Sequence, residues 1–123
     1  MKSMGINLEN LEEETRKKIM NLQNLQKSAE IVINQKLQLE SALRETELAI
    51  DELDKSSPDA VVYKSIGGIM IKSDRTKLLD EKKSEKTKIE MNLKSLSQKE
   101  ERLKQQINTI RNSVQKDLGM PNQ

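Results

Sequence analysis

The residues that come nearest to a reactive constellation lie in Ile66-Gly67-Gly68-Ile69-Met70-Ile71-Lys72-Ser73. Glycines ahead of a Lys-Ser pair are the components of a phosphate-binding loop, in which backbone N–H groups cradle the phosphates. The pattern fails on spacing: the first glycine is missing, and Lys72 follows Ile71 where such a loop needs a glycine. The segment also reads as a strand, not as the entry to a helix. Adjacent carboxylates, Asp80-Glu81 and Glu100-Glu101, are the ingredients of general acid–base chemistry, but on a long exposed helix such pairs form a solvated face. Lys82, Lys83, Lys86 and Lys88 would steer an anionic partner, yet Glu81, Glu85 and Glu90 interleave with them, and pairing along the helix absorbs the charge. The chain has no His and no Cys, which excludes Cys/His zinc sites, thiol chemistry, disulfides and His-based catalysis. No catalytic residue, cofactor or metal site is expected, and the chain is not read as an enzyme.

The same central stretch makes sense as structure. From Ala60 to Lys72 two short runs of β-branched and apolar residues flank Gly67-Gly68, the signature of a tight β-hairpin. Both central positions of a two-residue turn can require φ > 0, which glycine reaches without a Cβ clash. Pairing across that turn puts Val62, Ile66, Ile69 and Ile71 on one face and Val61, Tyr63 and Met70 on the other. A two-stranded ribbon is marginal alone in water and leaves both edges unpaired. An apolar load on both faces asks for neighbours that this chain does not contain, so the chain reads as a subunit.

The flanking sequence supplies helices. The 123 residues are 33% hydrophobic, 34% charged and contain one aromatic, Tyr63, with a net charge of +2. That is too little apolar material for a compact core and fits long helices with a narrow seam. From Leu8 a heptad runs without a break, with Leu8, Thr15, Leu22, Ala29, Lys36, Leu43 and Ile50 at a and Leu11, Lys18, Leu25, Val32, Leu39, Thr46 and Leu53 at d. Asn10 with Glu13 resembles a capping box, with Asn7 as a second candidate cap. Ser56-Ser57-Pro58-Asp59 stops the helix. Ser73 or Asp74 caps a second one, whose seam reads Leu79, Lys82, Lys86, Ile89, Leu93, Leu96, Glu100, Leu103, Ile107, Ile110, Val114 and Asp117, and Gly119 with Pro121 ends it. Each helix would be roughly 65–70 Å long. The equal lengths and tight connection predict an antiparallel pair. The polar seam residues either fix its register or let their stems snorkel along it.

The expected fold class is mainly α: an antiparallel two-helix coiled coil with one central hairpin, in a single domain over 1–123 (helix 8–55, hairpin 60–72, helix 74–118). Leu8 and Leu11, with Met4 and Ile6, would then meet Val114, Leu118 and Met120 at the free end. Flexible aliphatic side chains at a fraying end suit promiscuous apolar contact. The segment from Met1 to Gly5 leads into charged sequence, so a secretory signal is not expected. No run approaches the ~20 apolar residues of a membrane span, and +2 spread over an elongated surface does little to attract nucleic acid.

The run Asp59-Ala60-Val61-Val62-Tyr63-Lys64-Ser65-Ile66-Gly67-Gly68-Ile69-Met70-Ile71 followed by a capped helix resembles the β subunits of prefoldin. The order helix, single hairpin, helix covers essentially the whole chain and is similar to the β class, since α subunits carry two hairpins. The resemblance implies a cytoplasmic hetero-hexamer of two α and four β subunits whose hairpins form a double β-barrel platform. It implies an ATP-independent holdase that binds non-native polypeptides at its coiled-coil tips and passes them to a group II chaperonin, with no nucleic-acid or membrane partner. Val61, Val62, Tyr63, Ile66, Gly67, Gly68, Ile69, Met70 and Ile71 would then carry oligomerisation, and Leu8, Leu11, Val114 and Leu118 would contact unfolded protein. The rivals are a coiled-coil adaptor without holdase activity and a nucleic-acid-binding helical arm.

Overall fold

The computed structural model describes residues 12–120. Leu8, Leu11, Met4, Ile6 and the expected caps Asn7 and Asn10 lie outside the described residues. Helix α1 spans Glu13–Lys55, strand β1 Val62–Ile66, strand β2 Ile69–Ser73 and helix α2 Arg75–Asp117. Two compact units divide the chain: Met1–Asn34 with Ser97–Gln123, and Gln35–Leu96.

In the first unit the heptad reading of α1 holds position by position. Thr15, Lys18, Leu22, Leu25, Ala29 and Val32 are buried or half-buried, while most of their neighbours are exposed. Opposite them Leu103, Ile107 and Val114 are buried and Glu100 and Ile110 half-buried. Val32, 1% exposed, is the most enclosed of these. Thr15 and Lys18 reach Asp117, and Leu25 lines one cavity with Ile110 and Arg102, so numbering falls along α2 as it rises along α1: the helices are antiparallel. α2 ends as its sequence demands. Gly119 takes φ 70°, its N–H donates to the Lys116 carbonyl, and the Met120 N–H donates to the Gln115 carbonyl at 2.7 Å. This is a Schellman cap, which satisfies carbonyls that the helix cannot.

In the second unit the heptad positions Lys36, Leu39, Leu43, Thr46, Ile50 and Leu53 on α1 and the expected seam positions Leu79, Lys82, Lys86, Ile89, Leu93 and Leu96 on α2 are all buried or half-buried. Thr46 is tolerated in the seam because its hydroxyl donates back to the Ala42 carbonyl at 2.8 Å. α1 stops at Lys55, where the Ser56 N–H and hydroxyl both turn back to the Leu53 carbonyl. Pro58 then occupies the second position of a β-turn closed by the Ala60 N–H on the Ser57 carbonyl at 2.9 Å, a place that suits its fixed φ. Asp74, not Ser73, caps α2: its carboxylate accepts from the Thr76 N–H at 3.2 Å, while Ser73 is the last residue of β2.

Candidate functional site

β1 and β2 pair antiparallel in the register Val62↔Ser73, Tyr63↔Lys72, Lys64↔Ile71, Ser65↔Met70 and Ile66↔Ile69. Gly67 and Gly68 form the two-residue turn with φ 53° and 84°, the left-handed pair that a type I′ hairpin needs. Nothing lies within 4 Å of a Cβ added to either, so glycine is required there by backbone conformation, not by space. Side chains opposite one another share a face. One face therefore carries Val62, Lys64, Ile66, Ile69, Ile71 and Ser73, and the other Tyr63, Ser65, Met70 and Lys72, as the alternation predicts.

The two faces differ in cover. Val62, Lys64 and Ser73 are half-buried, while every residue of the second face is exposed. Exposure is 50% at Ile66, 65% at Ile69, 63% at Met70, 48% at Ile71, 54% at Tyr63 and 62% at Val61. Three large apolar side chains exposed on each side of so small a ribbon are the kind of surface that marks an interaction site. Among the described residues the sheet has two strands, so each offers an unpaired edge.

One polar anchor holds the ribbon to α2, and another joins the helix ends that flank it. Lys64 Nζ donates to Glu81 Oε2 at 2.9 Å, and that bond, more than the nearby lysines, holds the Glu81 carboxyl below its ordinary pKa. Arg75, the first residue of α2, donates to the carbonyls of Leu53 at 2.8 Å and Asp54 at 3.3 Å and to Ser56 Oγ at 3.2 Å. One guanidinium thus closes the C-terminal carbonyls of α1 from the N-terminus of α2. Sequence reasoning missed Arg75, and no local pattern marks it, because its acceptors are about 20 residues away. It also missed Leu78, buried beside Leu79 and one turn before Glu81, on the side of α2 that the ribbon reaches through Lys64.

At the chain ends, Asp117 Oδ2 accepts from Lys18 Nζ at 2.9 Å and from Thr15 Oγ1 at 3.0 Å. The Lys18 bond and then the Thr15 bond hold the Asp117 carboxyl below its ordinary pKa, and Asp117 holds the Lys18 ammonium above its own. Three polar seam residues thereby specify one alignment of the helices. Lys86 meets Glu47 across the second unit at 3.9 Å, and Lys82 meets Glu85 on its own helix at 3.2 Å. Of the residues expected at the free end, Val114 is buried at 8% exposure, Leu118 is half-buried, and Met120 is 45% exposed. Contact of Val114 with another molecule therefore requires the last turns to open.

The candidate phosphate loop is resolved as hairpin: Gly67-Gly68 is its turn, Lys72 stands opposite Tyr63, and α2 begins only at Arg75. Among the described residues no group of three or more His, Cys, Asp or Glu side chains is arranged to hold a metal, and no helix is long and apolar enough to cross a membrane.

Two long helices joined by one open ribbon define a helical subunit with an incomplete sheet. The family model for prefoldin subunits matches residues 16–120, and the chain belongs to that family. Its relatives place it among the β subunits. It is 39% identical over 98 residues to the prefoldin subunit beta of Methanothrix thermoacetophila, covering 80% of this chain and 82% of that one. It is 27% identical over 114 residues to the Pyrococcus furiosus subunit, covering 93% and 97%. The crystal structure of the prefoldin beta subunit from Thermococcus strain KS-1 superposes with a TM-score of 0.81 at 27% identity, covering 91% of this chain and 98% of that one. The chain is thus a prefoldin chaperone subunit, of a family that works as a complex with other subunits.

Proposed function

We propose that the chain is an ATP-independent holdase subunit, four copies of which join two α subunits through their hairpins and hold non-native polypeptides at their chain ends for transfer to a group II chaperonin in the cytoplasm. The observation that supports this most is the open ribbon, with Val61, Tyr63, Ile66, Ile69, Met70 and Ile71 half or more exposed or nearly so. Closing the ribbons into a barrel removes both edges and covers the face turned inward. Val62 adds to the covered face, and Gly67-Gly68 keeps the strands in register for it.

Client holding falls to the ends: Leu8, Leu11, Leu118 and Met120, with Val114 joining when the final turns of the helices fray. Each end offers little apolar area. Affinity then comes from several ends engaging one client, since linked weak contacts gain roughly 10²–10⁴ in avidity.

The test is reconstitution with an α subunit, followed by light scattering of a heat-denatured client without nucleotide. The intact complex is expected to suppress scattering, and a complex lacking residues 1–11 and 114–123 is expected to assemble without suppressing it. Undiminished suppression by the truncated complex would refute the assignment to the ends. Assembly without suppression by the intact complex would leave a structural adaptor.

A further inference from the structure

The free end of the first unit is closed by polar groups at seam positions. Thr15 and Lys18 hold consecutive a and d positions in the first two turns of α1, and the next two, Leu22 and Leu25, are apolar. Thr15 is 5% exposed, and Thr15 Oγ1 and Lys18 Nζ donate to one oxygen, Asp117 Oδ2, at 3.0 and 2.9 Å. Asp117 is the last residue of α2. A carboxylate there opposes the negative end of its own helix dipole, so it serves α2 poorly. Its use lies across the seam, on α1.

We propose, resting on the holdase reading above, that Thr15, Lys18 and Asp117 form a latch that holds this end shut and sets how readily it admits a client. Val114, 8% exposed, and half-buried Leu118 lie within one turn of Asp117, so the apolar surface nearest the latch is covered while it holds. The end of α2 does not need the latch to stay helical. Gly119 at φ 70° and the bonds from the Gly119 and Met120 N–H groups to the Lys116 and Gln115 carbonyls close it locally. Opening is therefore a parting of two formed helices, which uncovers Val114 and Leu118 together. The latch is weak enough to part. The Lys18 and Asp117 side chains are 28% and 29% exposed, and an ion pair that water reaches contributes little to stability. Leucines at the same positions would close the end more firmly and would keep the same apolar residues from any client. Client affinity at the ends is then the intrinsic affinity multiplied by the fraction of ends that stand open.

The experiment uses the complex reconstituted with an α subunit. The probe is fluorescent α-lactalbumin kept unfolded by reduction and carboxymethylation, read by anisotropy without nucleotide. Asp117→Ala removes the acceptor of both bonds, and Lys18→Ala removes one donor. Either is expected to tighten probe binding about threefold to tenfold, the worth of a lost hydrogen bond expressed as a larger open fraction, while helicity by circular dichroism matches the parent's. The two substitutions change net charge in opposite directions, so a shared direction of effect excludes charge as its cause. Lys18→Leu with Asp117→Leu replaces the latch by an apolar closure and is expected to weaken binding while raising the melting temperature. Unchanged or weaker binding in Asp117→Ala, opposite shifts in the two alanine variants, or tighter binding in the double leucine variant overturns the latch. If the parent complex binds the probe alongside such a result, the holdase reading stands and the latch alone falls. A parent complex that leaves the probe unbound overturns both.

Discussion

Replacing Ile69 and Ile71 by aspartate separates folding from assembly. The two side chains are 65% and 48% exposed in the subunit. Complete burial of an aliphatic side chain is worth ~1.5–3 kcal/mol, so the area still in water at these two positions carries roughly 2–3 kcal/mol per hairpin when a neighbour covers it. Ile69→Asp with Ile71→Asp forfeits that and obliges the interface to take in two carboxylates, each costing several kcal/mol when desolvated without a partner. A total loss of at least ~5 kcal/mol per hairpin weakens association by roughly 10³–10⁴-fold. Inside the subunit the change is mild. Ile71 stands opposite Lys64, which an aspartate would attract, and exposed substitutions away from special features stay within about 0.5 kcal/mol. Mass photometry of the variant mixed with an α subunit should show separate subunits at nanomolar concentration, with the helical circular dichroism of the parent. Ile69→Val with Ile71→Val should still assemble. An intact oligomer of the aspartate variant would refute the argument that these side chains are covered on assembly.

Arg75→Ala strands the carbonyls of Leu53 and Asp54 and the Ser56 hydroxyl; a charged hydrogen bond is worth ~1.5–3 kcal/mol, so denaturant unfolding should show a loss of roughly that size, which Arg75→Lys recovers only in part because an ammonium cannot fork. Parental stability in Arg75→Ala would contradict the anchoring role. The Asp117–Lys18 pair predicts a pH plateau. The lowered Asp117 pKa gives stability that is present above the ordinary carboxylate range and lost as pH falls through the lowered value, and the raised Lys18 pKa gives stability present below the ordinary lysine range and lost as pH rises through the raised value. Asp117→Asn should therefore shrink the drop in melting temperature between about pH 7 and about pH 3, leaving the share due to Glu81 and Asp59, whose carboxyls are lowered by Lys64 and Ser57; an undiminished drop would remove Asp117 from the account.

The parts of this molecule that were readable in its sequence are those set by local physics. The 3.5-residue period named the enclosed side of α1 from Thr15 to Leu53, because that side follows from helix geometry and apolar spacing alone. Gly67-Gly68 named its own turn, and the strand alternation named both faces of the ribbon. What local pattern could not show depends on contacts between distant segments. Thr15, Lys18 and Asp117 were visible only as polar interruptions of a seam; that they converge on one carboxylate depends on how α1 and α2 align. The choice left open between register and snorkelling falls to register for Lys18, which has a fixed acceptor. Arg75 sits where any helix-forming residue would serve its own helix, and its value lies in the carbonyls of another. Off-seam apolar residues such as Leu48 and Met91, 62% and 66% exposed, belong to neither the seam nor the ribbon.

The seam and the ribbon obey different accounting, which makes their roles separable by mutation. A helix satisfies its own backbone, so α1 and α2 need from each other only cover for a narrow apolar stripe, and Val32, Leu103, Ile107 and Val114 supply it. Substitutions there act on the stability of the subunit. A strand cannot satisfy its own backbone: each has two edges, and with one neighbour one stays open. Among the described residues the ribbon has no third strand on either edge, and while Val62 and Lys64 are half-covered, Tyr63, Met70 and the outer isoleucines lie in water. Substitutions there are expected to act on what the subunit joins. The chain's own helices leave Ile66, Ile69 and Ile71 uncovered, and Lys64 ties the ribbon to α2 through Glu81; the surface left open is the one proposed above to join other chains.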